Sequence, residues 1–176
     1  MKYTLTILEE HRKELEALVL KDDGFERPAL LLCGRSFISN DIWDGGTELR
    51  FLSKVVIPIP ENEVVSNNEA HVKWKTETFR KALKLAEKED LSICIVHSHP
   101  AKANEFSGVD DKNERELIQT IYNRNGDLAR HLSLVITYER QIFGRVWDKK
   151  LNTEPIQFIR CFGDRFEFIY KGTFDT

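Results

Sequence analysis

The chain has 176 residues, 41% of them hydrophobic and 31% charged, and carries a formal net charge of −3 from 26 basic and 29 acidic side chains. That is an ordinary soluble composition, long enough for one domain that buries its core without disulfides or a structural metal. The slight acidity argues against nucleic-acid binding as the main task, since domains built for it tend to be basic.

Cys33, Cys94 and Cys161 are odd in number, sit in apolar surroundings and form no CxxC pair, so buried reduced thiols in a cytosolic, cytoplasmic protein are expected. Met1 to Thr6 lack the apolar core of a signal peptide, and no run reaches the length of a membrane span. Neither a nucleic acid nor a membrane is expected as a partner.

In chain order, Tyr3, Leu5 and Ile7 alternate with threonines and predict a short strand. Glu9 to Lys21 predicts a helix with Leu15, Leu18 and Val19 on one face, ended at Asp22-Asp23-Gly24. Ala29 to Gly34 is a short apolar run after Glu26-Arg27-Pro28 and reads as a buried strand. Asn40 to Gly46 reads as a polar loop, Leu49 to Ile59 as a second extended stretch and Glu61 to Glu69 as irregular. Lys75 to Asp90 predicts an amphipathic helix, and Leu91 to Val96 the strand that feeds two histidines. Asp111 to Arg124 predicts a third helix with Leu117, Ile118, Ile121 and Tyr122 inward. Leu132 to Tyr138 and Gln141 to Trp147 read as paired strands, and Ile156 to Phe162 with Arg165 to Tyr170 as a further hairpin. Strands and helices mix without strict alternation, which predicts an α/β (α+β) mixed sheet flanked by helices in one domain, with residues 148–176 a C-terminal extension.

The chemistry concentrates after Leu91. His97 and His99 stand two apart at a strand end, so both project from one face while Ser98 faces away. Two imidazoles and a later carboxylate can supply three ligands to Zn²⁺ and leave a fourth place open, the mark of a catalytic site. Spacing alone leaves a metal site and a pair of structural histidines both open. Ser107-x-x-Asp110 before an apolar-periodic stretch reads as a capping box, and capping is compatible with Asp110 reaching a metal. Hydrolysis also needs a proton acceptor that is not a ligand. Glu26, just ahead of the strand from Ala29, is the candidate, and an ordinary surface Glu in an acidic loop is the alternative. His11, His71 and His131 are expected at the surface, Cys33 and Cys94 in the core. Trp43 sits in the polar loop and reads as a packed loop anchor.

The segment His97-x-His99-Pro100, six residues, Ser107-x-x-Asp110 resembles the motif of the JAMM (JAB, MPN+) metalloproteases with no departure in spacing. Glu26-Arg27-Pro28-Ala29-Leu30-Leu31-Leu32-Cys33-Gly34 resembles the Glu-bearing strand of the prokaryotic JAB group, although many members have a Gly where this chain has Ala29 or Leu30. The tail beyond about Trp147 has no counterpart in the resemblance. The resemblance implies a JAB/MPN domain of cytidine-deaminase-like architecture. It also implies one catalytic Zn²⁺ on His97, His99 and Asp110, with Glu26 as general base and acid and Ser107 stabilising the oxyanion. The expected activity is cleavage after the C-terminal glycine of a ubiquitin-like protein, from its precursor or its conjugates, with E1-like and E2-like enzymes of the same bacterial system as further partners. Two alternatives remain open: an inactive scaffold of the same fold, and a peptidase acting on a sulfur-carrier protein.

Overall fold

A computed structural model of the chain describes every residue except 43–44, 68–71, 75–76, 100–105, 128, 165 and 172–176. Trp43 and His71 lie outside the described residues. The chain opens with β1 (Lys2–Leu8), followed directly by α1 (Glu9–Val19), then β2 (Pro28–Ile38) and β3 (Glu48–Pro58). A 3₁₀ turn at Glu61–Glu63 leads into two short strands, β4 (Val64–Asn67) and β5 (Val72–Trp74), and then α2 (Glu77–Lys88). β6 (Ser92–His99), α3 (Gly108–Asn125), β7 (His131–Thr137) and β8 (Ile142–Trp147) follow, and β9 (Thr153–Pro155), β10 (Phe158–Phe162) and β11 (Phe166–Lys171) close the chain.

The main sheet has the order β11-β10-β1-β3-β2-β6-β7-β8-β9, and β4 pairs with β5 separately. It is mixed: β1 runs parallel to β3 and β10, and β6 parallel to β7, while β2 is antiparallel to β3 and β6. β2, β6 and β7 lie inside the sheet, and their apolar runs are buried on both faces, as strands covered from two sides require.

Alternation along the strands separates two cores. On one face Leu31, Cys33, Cys94, Val96 and Leu134 pack under Leu15 and Val19 of α1, together with Tyr3, Leu5 and Ile7. On the other, Leu30, Leu32, Ile93 and Ile95 meet Phe79, Ala82, Leu83 and Ala86 of α2, Ile118, Ile121 and Tyr122 of α3, and Trp147. Truncating a fully buried member such as Ile93 to Ala removes about 2–5 kcal/mol. The protein is thus a mixed α/β sheet between helices, as its sequence pattern predicts.

α3 is tied to β8 by the Tyr122 hydroxyl, which donates to the Trp147 carbonyl at 2.8 Å, and the Trp147 indole N–H donates to Ser133 Oγ at 2.8 Å. Close approach of β8 to β7 requires glycine at position 144, since a Cβ there would lie 2.7 Å from the Ser133 carbonyl oxygen.

Three expectations need correction, and a fourth is extended. His131 is not at the surface; it is 1% exposed and its Nδ1 accepts the Ile93 N–H at 3.1 Å, because β7 is interior to the sheet. His11 is half-buried and shares a hydrogen bond with Ser53 Oγ at 2.9 Å. The segment expected to be irregular after Glu61 forms the 3₁₀ turn and β4. The tail forms the expected antiparallel pair, β10 with β11, but β10 also runs parallel to β1, so it extends the main sheet. All three cysteines are buried free thiols, and burial pushes Cys33 and Cys94 well above an ordinary thiol pKa.

Candidate metal centre

β6 carries the two histidines inside the strand rather than beyond it. Their odd-numbered parity matches Ile93 and Ile95, so His97 and His99 emerge on the face covered by α2 and α3. Each is 4% exposed. Ser98 points the opposite way, where its Oγ accepts the Arg27 N–H at 3.0 Å while its own N–H donates to the Arg27 carbonyl at 3.2 Å. This clamp continues the β2–β6 pairing past Pro28, which stands opposite His97. Glu26 shares the parity of Leu30 and Leu32, which face the same core as the histidines. Its carboxylate comes to 3.8 Å from His99 Nε2 and is 3% exposed.

Asp110 arrives from the other side. Ser107 is the N-cap of α3, its Oγ accepting the Asp110 N–H at 3.1 Å, while the Ser107 N–H donates to Asp110 Oδ2 at 2.6 Å. The capping box read from the sequence therefore forms, and it fixes the Asp110 side chain. Asp110 Oδ1 lies 3.3 Å from His97 Nε2 and Oδ2 lies 3.3 Å from His99 Nε2, while the two Nε2 atoms face each other at 3.1 Å. The edges of a tetrahedron with bonds of 2.0–2.1 Å measure about 3.3 Å, so the three donor groups stand at the separations one ion would need. Among the described residues these three are the one group of His, Cys, Asp and Glu whose ligand atoms converge in this way.

Charge and hydrogen bonding point the same way. Glu26, Asp110 and Glu114 are all buried carboxyls, and Arg145 is the one buried arginine among the described residues. Glu26 Oε2, His99 Nδ1 and Glu114 Oε1 are buried without a hydrogen-bond partner. An excess of buried negative charge with unmet donors and acceptors is costly unless a cation completes it. The residues present fit a divalent ion of the zinc type.

The titration of these groups follows their setting. Burial alone would raise the Asp110 carboxyl, but hydrogen bonds to His97 and His99 and the Ser107 N–H hold it far below the usual carboxylate range. Burial pushes His97 down, and Asp110, Glu114 and Glu26 together outweigh it and raise it. Glu26 is raised by burial, against the pull of the two histidines.

The structure brings Glu26, His97, His99, Ser107 and Asp110 to one place. It also adds residues that the sequence reading passed over. Glu114 is 3% exposed, with Oε1 3.5 Å from His97 Nδ1. It continues the stripe Asp110, Glu114, Ile118, Tyr122 at helical spacing. An acid on the apolar face of the predicted helix was the signal. Phe106 stands edge-on to His97 at 6.2 Å between ring centroids, and Phe143 edge-on to His99 at 6.4 Å. Pro100 and residues 101–105, within the motif, lie outside the described residues.

No curated protein matches the chain. The profile of the family described as prokaryotic homologs of the JAB domain matches residues 8–149, which takes in the strand after Glu26, the paired histidines and the start of α3, and stops where the tail begins. With a match over that much of its length, and with the His97, His99 and Asp110 side chains converging as a metal site would require, the chain belongs to the prokaryotic JAB-domain family.

Proposed function

We propose that this JAB-family protein is a zinc-dependent peptidase or isopeptidase of the JAMM type. In this reading it hydrolyses the amide bond after the C-terminal glycine of a ubiquitin-like protein, in precursor processing or in deconjugation. The observation that carries the chemistry is the convergence of two imidazole nitrogens and one carboxylate at 3.1–3.3 Å, with a second, non-ligand carboxylate alongside. The ubiquitin-like substrate and the E1-like and E2-like partners rest on family resemblance, as does a cytoplasmic location. Among the described residues no helix is long and apolar enough to cross a membrane. A likeness to the cytidine deaminase architecture belongs to the same reading, supported by the mixed sheet between helices.

His97, His99 and Asp110 hold the metal. Zinc in such a site supplies a Lewis acid that polarises the scissile carbonyl and lowers the pKa of water. Glu26 lies close to His99 yet outside the three-ligand group. It takes the proton of the attacking water and returns it to the departing amine. Its buried setting raises its proton affinity, which suits a group that must both accept and donate. Ser107 is exposed, so a substrate can reach it. Its oxygen accepts from Asp110, and the hydroxyl proton remains to be donated to the carbonyl oxygen as charge develops there.

The test is incubation of the purified protein with a ubiquitin-like protein fused through its C-terminal glycine, with and without a chelator. Cleavage after the glycine that stops with chelator and returns with zinc is the expected result. A folded, zinc-loaded protein that leaves every such fusion intact would overturn the substrate assignment and favour the sulfur-carrier or scaffold alternatives.

A further inference from the structure

The odd positions of β8, Phe143, Arg145 and Trp147, face the same layer as His97 and His99, with Trp147 in the second core and Phe143 against His99. Arg145 therefore enters that layer and is 9% exposed. A guanidinium there must be paired. Its Nε and Nη2 both donate to Glu114 Oε2, at 3.2 and 2.6 Å, and Nη1 pairs with Asp111 nearer the surface. Two aromatic faces flank it, with Cζ 3.8 Å from the Phe106 ring centroid and 4.6 Å from that of Trp147. These contacts leave the Arg little freedom.

Arg145 thus occupies one oxygen of Glu114 and sets its orientation. The other oxygen, Oε1, has no hydrogen bond and lies 3.5 Å from His97 Nδ1. A buried Arg–Glu pair adds little stability over two apolar residues of the same size, so stability alone does not account for it. Besides Arg145, Glu114 meets the Ser133 side chain and, through Oε1, the ring nitrogen of His97 on the side away from Asp110. A ring that donates from Nδ1 must present the lone pair of Nε2, which is the atom facing His99 and Asp110.

We propose that Glu114 is a positioning residue for His97, anchored by Arg145: its Oε1 accepts a hydrogen bond from the Nδ1–H of the metal-loaded site, fixes the ring's tautomer and tilt, and aims Nε2 at the metal. The inference rests on the metal-centre reading above and on no assumption about substrate. His99 differs, since its Nδ1 has no partner. The two histidines are therefore held unequally, His97 by a carboxylate and His99 by the packing of Phe143.

The test is zinc affinity of the full chain, measured by competition with a chromophoric chelator, together with the Nδ1 proton resonance of His97 in the zinc-loaded protein. Glu114→Ala is expected to weaken zinc binding 10- to 100-fold and to abolish the resonance. Glu114→Gln keeps a carbonyl oxygen and is expected to lose less. Glu114→Ala leaves Arg145 buried without its partner, so the double variant Glu114→Met/Arg145→Met provides a fold-preserving comparison and is expected to show the same loss of affinity. Ile118→Ala weakens the same helix without touching His97 and should bind zinc as the parent does. A double variant that is folded and binds zinc like the parent, with the His97 resonance unchanged, would overturn the proposal. Neither readout needs a substrate, so a protein that cleaves nothing would count against the peptidase reading alone.

Discussion

Glu48 and Asp110 are both buried carboxylates, and their surroundings are completed to different degrees. Glu48, on β3, is fully buried and has every acceptor in use. Thr4 donates to it from β1 at 2.5 Å, Arg50 through Nε and Nη2 at 2.9 and 3.1 Å, and Arg160 from β10 at 3.4 Å. Burial would raise its carboxyl, and Arg50 and Thr4, with a hydrogen bond from the neighbouring buried Asp41, instead lower it to about 2. Around Asp110 the cations run short: Glu26 and Glu114 add two more buried acids, and Arg145 is shared between Glu114 and Asp111. The contrast teaches that a buried charge whose partners all come from the chain serves to hold strands together. One whose partners fall short leaves room for a ligand.

Breaking the open cluster should cost function first. Asp110→Ala removes the proposed ligand and the anchor of the capping box, so stoichiometric zinc and all chelator-sensitive cleavage should be lost together in metal analysis and activity assays. Retained zinc in that variant would mean the carboxylate only caps the helix. Next in size, Glu26→Gln should keep zinc and fold while the cleavage rate falls about 10²- to 10⁴-fold; a rate near the parent's would pass the base role to another residue.

Breaking the completed cluster should cost stability and spare the metal. Glu48→Ala leaves Arg50 and Arg160 without their shared carboxylate and should lower the unfolding free energy by about 3–5 kcal/mol in urea titrations, with zinc affinity unchanged. Reduced zinc binding there would undo the separation of the two clusters. The last effect concerns pH, and is felt only outside the neutral range. Burial, helped by Arg35, lowers His131 from 6.5 to about 3. The folded state thus holds it neutral, and its contribution is full above about 6.5. It is lost as pH falls towards about 3, with a slope of up to about 1.4 kcal/mol per pH unit. Comparing parent and His131→Asn across that window should show the flatter profile in the variant; identical slopes would remove His131 as the cause.

Much of the site was legible because it lies along strand and helix periodicities. Parity puts His97 and His99 on one face, the same parity runs from Leu32 back to Glu26, and the spacing of Ser107 and Asp110 alone marks a capping box. Glu114 escaped notice because an acid on an apolar helical stripe looks like a break in the pattern, and its justification, Arg145, comes from a strand thirty-one residues on. His131 was misplaced because a strand's burial on both faces depends on its neighbours in the sheet, which local sequence does not specify. The parallel pairing of β10 with β1 joins the two ends of the chain, a long-range contact with no short-range signal. Long apolar runs such as Leu30 to Cys33 and Ile93 to Val96 marked the interior strands plainly.

The central claim is that the incomplete cluster is completed by one divalent ion. Zinc titration of the metal-free protein, followed by calorimetry against the Asp110→Ala and Glu48→Ala variants, tests it directly. The account predicts one tight site per chain in the parent and in Glu48→Ala, and none in Asp110→Ala. Folded parent protein that takes up no zinc, or Asp110→Ala binding as tightly as the parent, would contradict it.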